Sequence, residues 1–137
     1  MTTAMADRGV TTSPKALALA YLEACGRKDF ERVAELLRPD VRFDMPGLTL
    51  HGVQDYVAAL RRLAPIILRY DVRETIVDGN DVCAVYDFVT DTAVGAVPSA
   101  EWLTVEAGRI GSVRLIFDKS RWPEVLEELR RRASRAA

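Results

Sequence analysis

The chain has 137 residues, of which 49% are apolar and 28% charged. This suits a globular protein with a sizeable core and excludes collagen and wholesale disorder. Nineteen Lys and Arg face twenty Asp and Glu, a net charge of −1, which argues against a general grip on nucleic acid or anionic lipid. No run approaches the ~20 apolar residues of a membrane-spanning helix.

Residues 1–12 are small and polar, with no apolar core of a secretory signal, and are expected to form a loose tail before a single domain over 13–137. Cys25 and Cys83 lie among apolar neighbours without metal-type spacing. Both are expected to be reduced core residues, and a cytoplasmic location follows by default.

Ser13 followed by Pro14 opens a helix, with Leu17, Ala20, Tyr21 and Ala24 on one face and Gly26 at its end. Asp29 caps a short second helix carrying Val33, Leu36 and Leu37, which Pro39 is expected to end. Val41, Phe43 and Met45 alternate with Arg42 and Asp44, predicting a half-buried strand before the Pro46-Gly47 turn. A third helix runs from Gly52 to Pro65, with Val53, Tyr56, Val57, Leu60 and Leu63 as its stripe.

The period then becomes two. Leu68, Tyr70, Val72, Glu74 and Ile76 share one face of a strand, and Asp78-Gly79-Asn80-Asp81 predicts a hairpin turn. Val82 to Thr90 is apolar on both faces and reads as a central strand. Gly95 to Ser99 is a break. Ala100–Glu106 and Arg109–Phe117 are two further strands joined at Ala107-Gly108. A last helix after Pro123 turns Val125, Leu126, Leu129 and Ala133 inward, and its basic end suits the helix dipole. Helix–helix–strand–helix followed by an antiparallel meander is an α+β plan with the helices on one face of the sheet.

The order and spacing of several pieces carry a resemblance. They are Tyr21-Leu22-Glu23-Ala24 running into Arg27-Lys28-Asp29-Phe30, Leu36 to Val41, Pro46-Gly47 through His51-Gly52, Val97 to Trp102, and Gly108-Arg109-Ile110 into Ile116-Phe117-Asp118. The chain resembles the nuclear-transport-factor-2-like superfamily, in its branch of SnoaL-like polyketide cyclases and ketosteroid isomerases. The resemblance implies a cone: a curved mixed or antiparallel sheet wrapped around the N-terminal helices, with an apolar pocket in its mouth. It also implies that Tyr21 matches the isomerase oxyanion-hole tyrosine and Glu101 its protonated acid, whereas Met45 stands where the general base belongs. The limonene-epoxide-hydrolase arrangement is incomplete too: Asp91 matches one carboxylate, but Val89 and Leu115 replace the arginine and the second carboxylate. The fold alone does not decide between these activities.

Glu101 shares a face with Leu103 and Val105 and should point inward, where burial raises a carboxyl pKa. It reads as a general acid or as a structural glutamate bonded inside. Tyr21 reads as a pocket donor or as core with a satisfied hydroxyl. The missing base would be Asp44, Glu74 or Asp87, although a sheet-edge position suits Glu74 and a dimer face suits Asp87. Asp118 reads as a cap and His51, the lone histidine, as a loop residue. Nothing in the sequence has metal-ligand, dinucleotide-loop or nucleophile-elbow spacing, so neither metal nor cofactor is expected.

The expectation is a cofactor-free acid–base enzyme, an isomerase, cyclase or related lyase or hydrolase. Its substrate would be an apolar oxygenated molecule of polyketide, terpenoid or steroid-like kind. Phe43, Met45, Tyr56, Leu60, Leu103, Val113 and Leu115 would line its pocket. The alternatives are a non-catalytic binder of a hydrophobic ligand and a dimerising interaction module. A homodimer through the open sheet face is expected in any of these.

Overall fold

The computed structural model describes residues 12–136, so the expected tail lies, but for Thr12, outside the described residues. Helix α1 (Pro14–Gly26) starts where Ser13 Oγ accepts from the Ala16 amide at 3.1 Å, and it buries Leu17, Tyr21, Leu22 and Cys25. Gly26 lets it close on the next layer: a Cβ there would stand 3.4 Å from the Tyr70 backbone nitrogen. Helix α2 (Phe30–Leu36) is capped by Asp29, whose carboxylate accepts from the Arg32 amide.

Strand β1 (Leu37–Met45) begins directly after α2, so Pro39 does not end a helix but lies inside a strand. Its ladder to the neighbouring strand is irregular between Leu37 and Arg42, and a residue without an N–H fits such a gap. The chain turns at Gly47, with φ of 85°, into β2 (Leu48–His51), a short edge strand that the alternation did not reveal. Helix α3 (Val53–Leu63) and a 3-10 turn (Ala64–Ile66) lead into β3 (Ile67–Asp78), β4 (Asp81–Thr90), β5 (Ala96–Glu106) and β6 (Arg109–Phe117). Strand β5 takes in most of the expected Gly95–Ser99 break. Helix α4 (Trp122–Ala136) follows.

The six strands form one curved sheet in the order β2-β1-β6-β5-β4-β3. Strands β3 to β6 are the antiparallel meander, and β1 joins β6 in parallel. Helices α1 to α3 cover one face, so alternate residues of the interior strands are buried there: Val82, Ala84, Tyr86 and Phe88 on β4. The other face carries Cys83, Val85 and Asp87, so Cys83 is a half-buried outer-face residue rather than core. Among the described residues no helix is long and apolar enough to cross a membrane.

The β5–β6 turn places Ala107 at φ 52° and Gly108 at 80°, the two positive values of a tight primed hairpin turn. An alanine there is strained, because its Cβ crowds the following carbonyl. Ala107→Asn should therefore raise stability by about 0.5–1 kcal/mol, read as a higher urea midpoint with an unchanged m-value.

Candidate active site

The inner face of β5 carries Val97, Ser99, Glu101, Leu103 and Val105, all buried. The first three line a cavity of about 770 Å³, and its walls are overwhelmingly aliphatic and aromatic. Such a volume suits a drug-sized organic molecule. Tyr21 of α1 and Tyr56 of α3 meet across it hydroxyl to hydroxyl. Phe43 of β1 stacks on Tyr56 with ring centres 4.5 Å apart. On the opposite wall the Tyr70 ring lies 5.1 Å from both Tyr86 and Phe88. Trp122 of α4 meets Phe117 edge-on at 5.1 Å, so the last helix contributes to the rim.

Glu101 is the polar centre of this enclosure. It is 3% exposed, and its Oε1 has no hydrogen-bond partner among the described residues. Burial pushes its pKa up to about 8, opposed in part by the Tyr86 phenol. At neutral pH the carboxyl is therefore mostly protonated and can donate. Burial also pushes the phenols of Tyr21, Tyr56 and Tyr86 well up, and the Glu101 charge adds to this, so all three keep their protons. The floor thus presents hydrogen-bond donors and no fixed anion to a ligand oxygen.

The structure brings Tyr21, Glu101, Phe43, Met45, Tyr56, Leu60 and Leu115 together around this cavity. Leu103 and Val113 do not line it. They face each other one ladder step below Glu101 and Leu115, fully enclosed in the core. None of the three carboxylates expected to serve as a base reaches the cavity either. Asp44 stands on the opposite side of β1 from Phe43 and accepts from Arg42 Nε at 2.8 Å and Thr49 Oγ1 at 2.7 Å. These bonds, the Arg42 one foremost, hold its carboxyl below the usual range. Asp87 lies on the outer face of β4 and accepts from Arg73 Nε at 3.0 Å.

Glu74 is displaced for a different reason. A bulge between Val72 and Glu74 inserts Arg73, after which Glu74 pairs with outward-facing Val85. The shared face with Tyr70 expected from alternation is broken there, because one extra residue flips the parity of all that follow. Ile76 is turned out by the same slip and is 62% exposed. His51 is exposed at the end of β2, outside the cavity. Asp118 accepts from the Ser120 amide at 3.0 Å, as a cap ahead of α4. Leu126 is not core but 37% exposed at the cavity rim.

Tyr70, Tyr86 and Phe88 also line the cavity, which the sequence pattern does not foretell for Tyr70. For the last two a signal existed, since they share parity with buried Val82 and Ala84.

A helix-filled curved sheet with a cavity on its concave side is the nuclear-transport-factor-2-like fold, and solved structures of that class superpose on this one. An NTF2-like protein of unknown function from Burkholderia pseudomallei is 21% identical, with a TM-score of 0.74 over 84% of this chain and 98% of its own. A candidate SnoaL-like polyketide cyclase from Shewanella denitrificans is 16% identical, with a TM-score of 0.71 over 84% of this chain and 97% of its own. A candidate ketosteroid isomerase from Kribbella flavida is 21% identical, with a TM-score of 0.69 over 78% of each chain. The model of the SnoaL-like domain matches residues 18–113, and the chain belongs to that family. No curated protein matches the sequence.

The buried acid links stability to pH. Between the ordinary glutamate value of 4.5 and about 8 the folded protein keeps a proton that the unfolded chain has released. Stability should therefore fall as pH rises through that window, by a few kcal/mol, and level off above it. Glu101→Gln, which cannot ionise, should abolish this slope. Urea midpoints of the two proteins at several pH values would show it, and parallel slopes would mean that Glu101 is solvated.

Proposed function

We propose that this protein binds an apolar molecule bearing carbonyl groups and promotes an acid–base ring closure or isomerisation of it. The observation that carries this reading is the orphaned Glu101 Oε1 at the floor of an apolar cavity. A buried donor without a partner is costly, and a ligand oxygen is the group that would satisfy it.

Ring closure is the step that fits one carboxyl best. Glu101 gives its proton to the oxygen of the carbonyl under attack. An enol in the same substrate forms the new carbon–carbon bond, and its O–H proton returns to the Glu101 carboxylate. One group thus serves as acid and then base, with no oxidation or reduction. Tyr21, held by Tyr56, supports the developing oxygen charge. Double-bond isomerisation would need a separate acceptor, and Met45 stands at the place where the resemblance puts one.

That lack favours a second reading, a non-catalytic binder. A 1,5-diketone with an aryl group on one carbonyl and a methyl group on the other, whose methyl-side enol can close a six-membered ring onto the aryl ketone, separates the two. Glu101→Gln keeps a donor but cannot pass a proton, so ring closure should drop roughly 10²–10⁴-fold while the Kd changes little. Tight binding with no rate above background in the wild type would favour the binder.

We also propose that two copies pair through the outer sheet face. Ile76, Ile116, Trp102 and Val85 are 62%, 62%, 50% and 39% exposed there, beside Arg114, Asp78 and Asp81. A face carrying both charge signs around an apolar centre can complement itself about a two-fold axis. Light scattering at ~50 µM should give a dimer, since a stable interface of ~1,000 Å² or more is expected, and Ile116→Asp should give a monomer. A monomeric wild type would refute the pairing.

A further inference from the structure

The cavity is charged at one end only. Its floor residues Glu101, Tyr21 and Tyr56 are 3%, 1% and 2% exposed, whereas its rim includes the exposed Arg62 at the end of α3 and Arg130 on α4. Arg132, also on the lining, is committed to the fold: it donates to the Pro65 carbonyl at 2.8 Å and pairs with Glu128 at 2.9 Å and Asp91 at 3.3 Å. Arg130 pairs with Glu127 at 2.6 Å, both side chains being at least half exposed, a kind of pair that holds weakly against competition. Arg62 has no ion-pair partner among the described residues. Among the described residues Glu101 is the sole carboxyl on the lining; Glu127, Glu128 and Asp91 stand off it.

A neutral ligand would use the apolar walls and the donor at the floor but leave the rim guanidiniums idle. From this layout we infer that the ligand is an amphipathic anion: an apolar body, a carbonyl oxygen at the Glu101 end, and a carboxylate at the mouth against Arg62 and Arg130. Guanidinium forks match carboxylate geometry, and low-dielectric walls focus their field along the entrance. The orientation follows, since the anion cannot enter the dry floor without a counter-ion. This inference rests on the reading of Glu101 as a donor to a ligand carbonyl, while the charge preference is measured separately.

The test uses aromatic ketones from 4-acetylbenzoate to anthraquinone-2-carboxylate, each as the free acid and its methyl ester, titrated calorimetrically into the full-length protein. The acid should bind about fivefold tighter than its ester at low salt, and the ratio should shrink in high salt. Arg62→Ala should bring the ratio most of the way to one, Arg62→Lys should keep most of it, and Arg62→Ala with Arg130→Ala should abolish it. Glu101→Gln should change acid and ester alike. Esters that bind as well as acids, or a ratio indifferent to salt and to Arg62, would overturn the anion preference and leave the pocket reading standing. Failure of every acid and ester to bind would overturn both.

Discussion

A carboxyl on the concave face of a curved sheet has few places to send its charge, and much of this protein's chemistry follows from that constraint at Glu101. The strand that carries it is sealed on both sides by β4 and β6, and α1 and α3 close over it with two tyrosines. The guanidiniums on the lining stand at the rim, and burial pushes the Glu101 pKa up to about 8, so the group is mostly protonated at neutral pH. A purely structural buried acid would be expected to have both oxygens satisfied. Here one oxygen of a carboxyl that lines the cavity is buried without a partner among the described residues, an arrangement that costs stability.

The same geometry sorts the other acids. Strand parity sends Asp44 and Asp87 to the convex face, where Arg42, two residues along the same strand, and Arg73, at the bulge of the neighbouring strand, pair with them. The extra residue Arg73 does this twice over: it turns Glu74 outward and supplies the partner of Asp87. The concave side is left with one proton donor and several phenols whose protons burial holds in place. A cavity so equipped offers hydrogen-bond donors to an oxygen of whatever it holds. It cannot hold an acid and a separate carboxylate base together, and this distinguishes it from the two-carboxyl isomerase plan that the sequence resemblance brings to mind.

Much of this was readable from spacing. The helices, the meander, the inward face of Glu101 and the shared faces of Phe43, Met45 and Tyr56 follow from periods of 3.6 and 2, whereas the pocket they line is what the family resemblance implies. What alternation cannot see is a slip in its own phase, and Glu74 and Ile76 were misplaced for that reason. Parity also reports a face but not a depth. Glu101 and Leu103 point the same way on β5, yet the first opens on the cavity and the second is sealed beneath it, because the helices fill the narrow end of the cone. The cavity floor runs between the Glu101–Leu115 and Leu103–Val113 pairs of one ladder. That boundary is set by tertiary packing and has no local signal. Pro39 shows the converse case, a strong helix stop that loses to a strand whose ladder has a gap for it.

The division between floor and mouth also follows the chain. Every polar group at the floor lies within residues 18–113, the stretch shared with the SnoaL-like family. Helix α4 lies beyond it and supplies Trp122, Leu126, Leu129 and Arg130 to the rim. Its hold on the body is narrow: Val125 is fully buried, and Arg132 reaches the Pro65 and Asp91 carbonyls. Of its rim side chains, Trp122 and Leu129 also pack against the core, whereas Leu126 and Arg130 are exposed and can change with little effect on it. The floor, by contrast, cannot change without disturbing the strands that hold Glu101. The polar groups of the floor are thus held by the curved sheet and the helices packed on it, whereas the rim is shared between the end of α3, with Arg62, and the last helix, with Trp122 and Arg130.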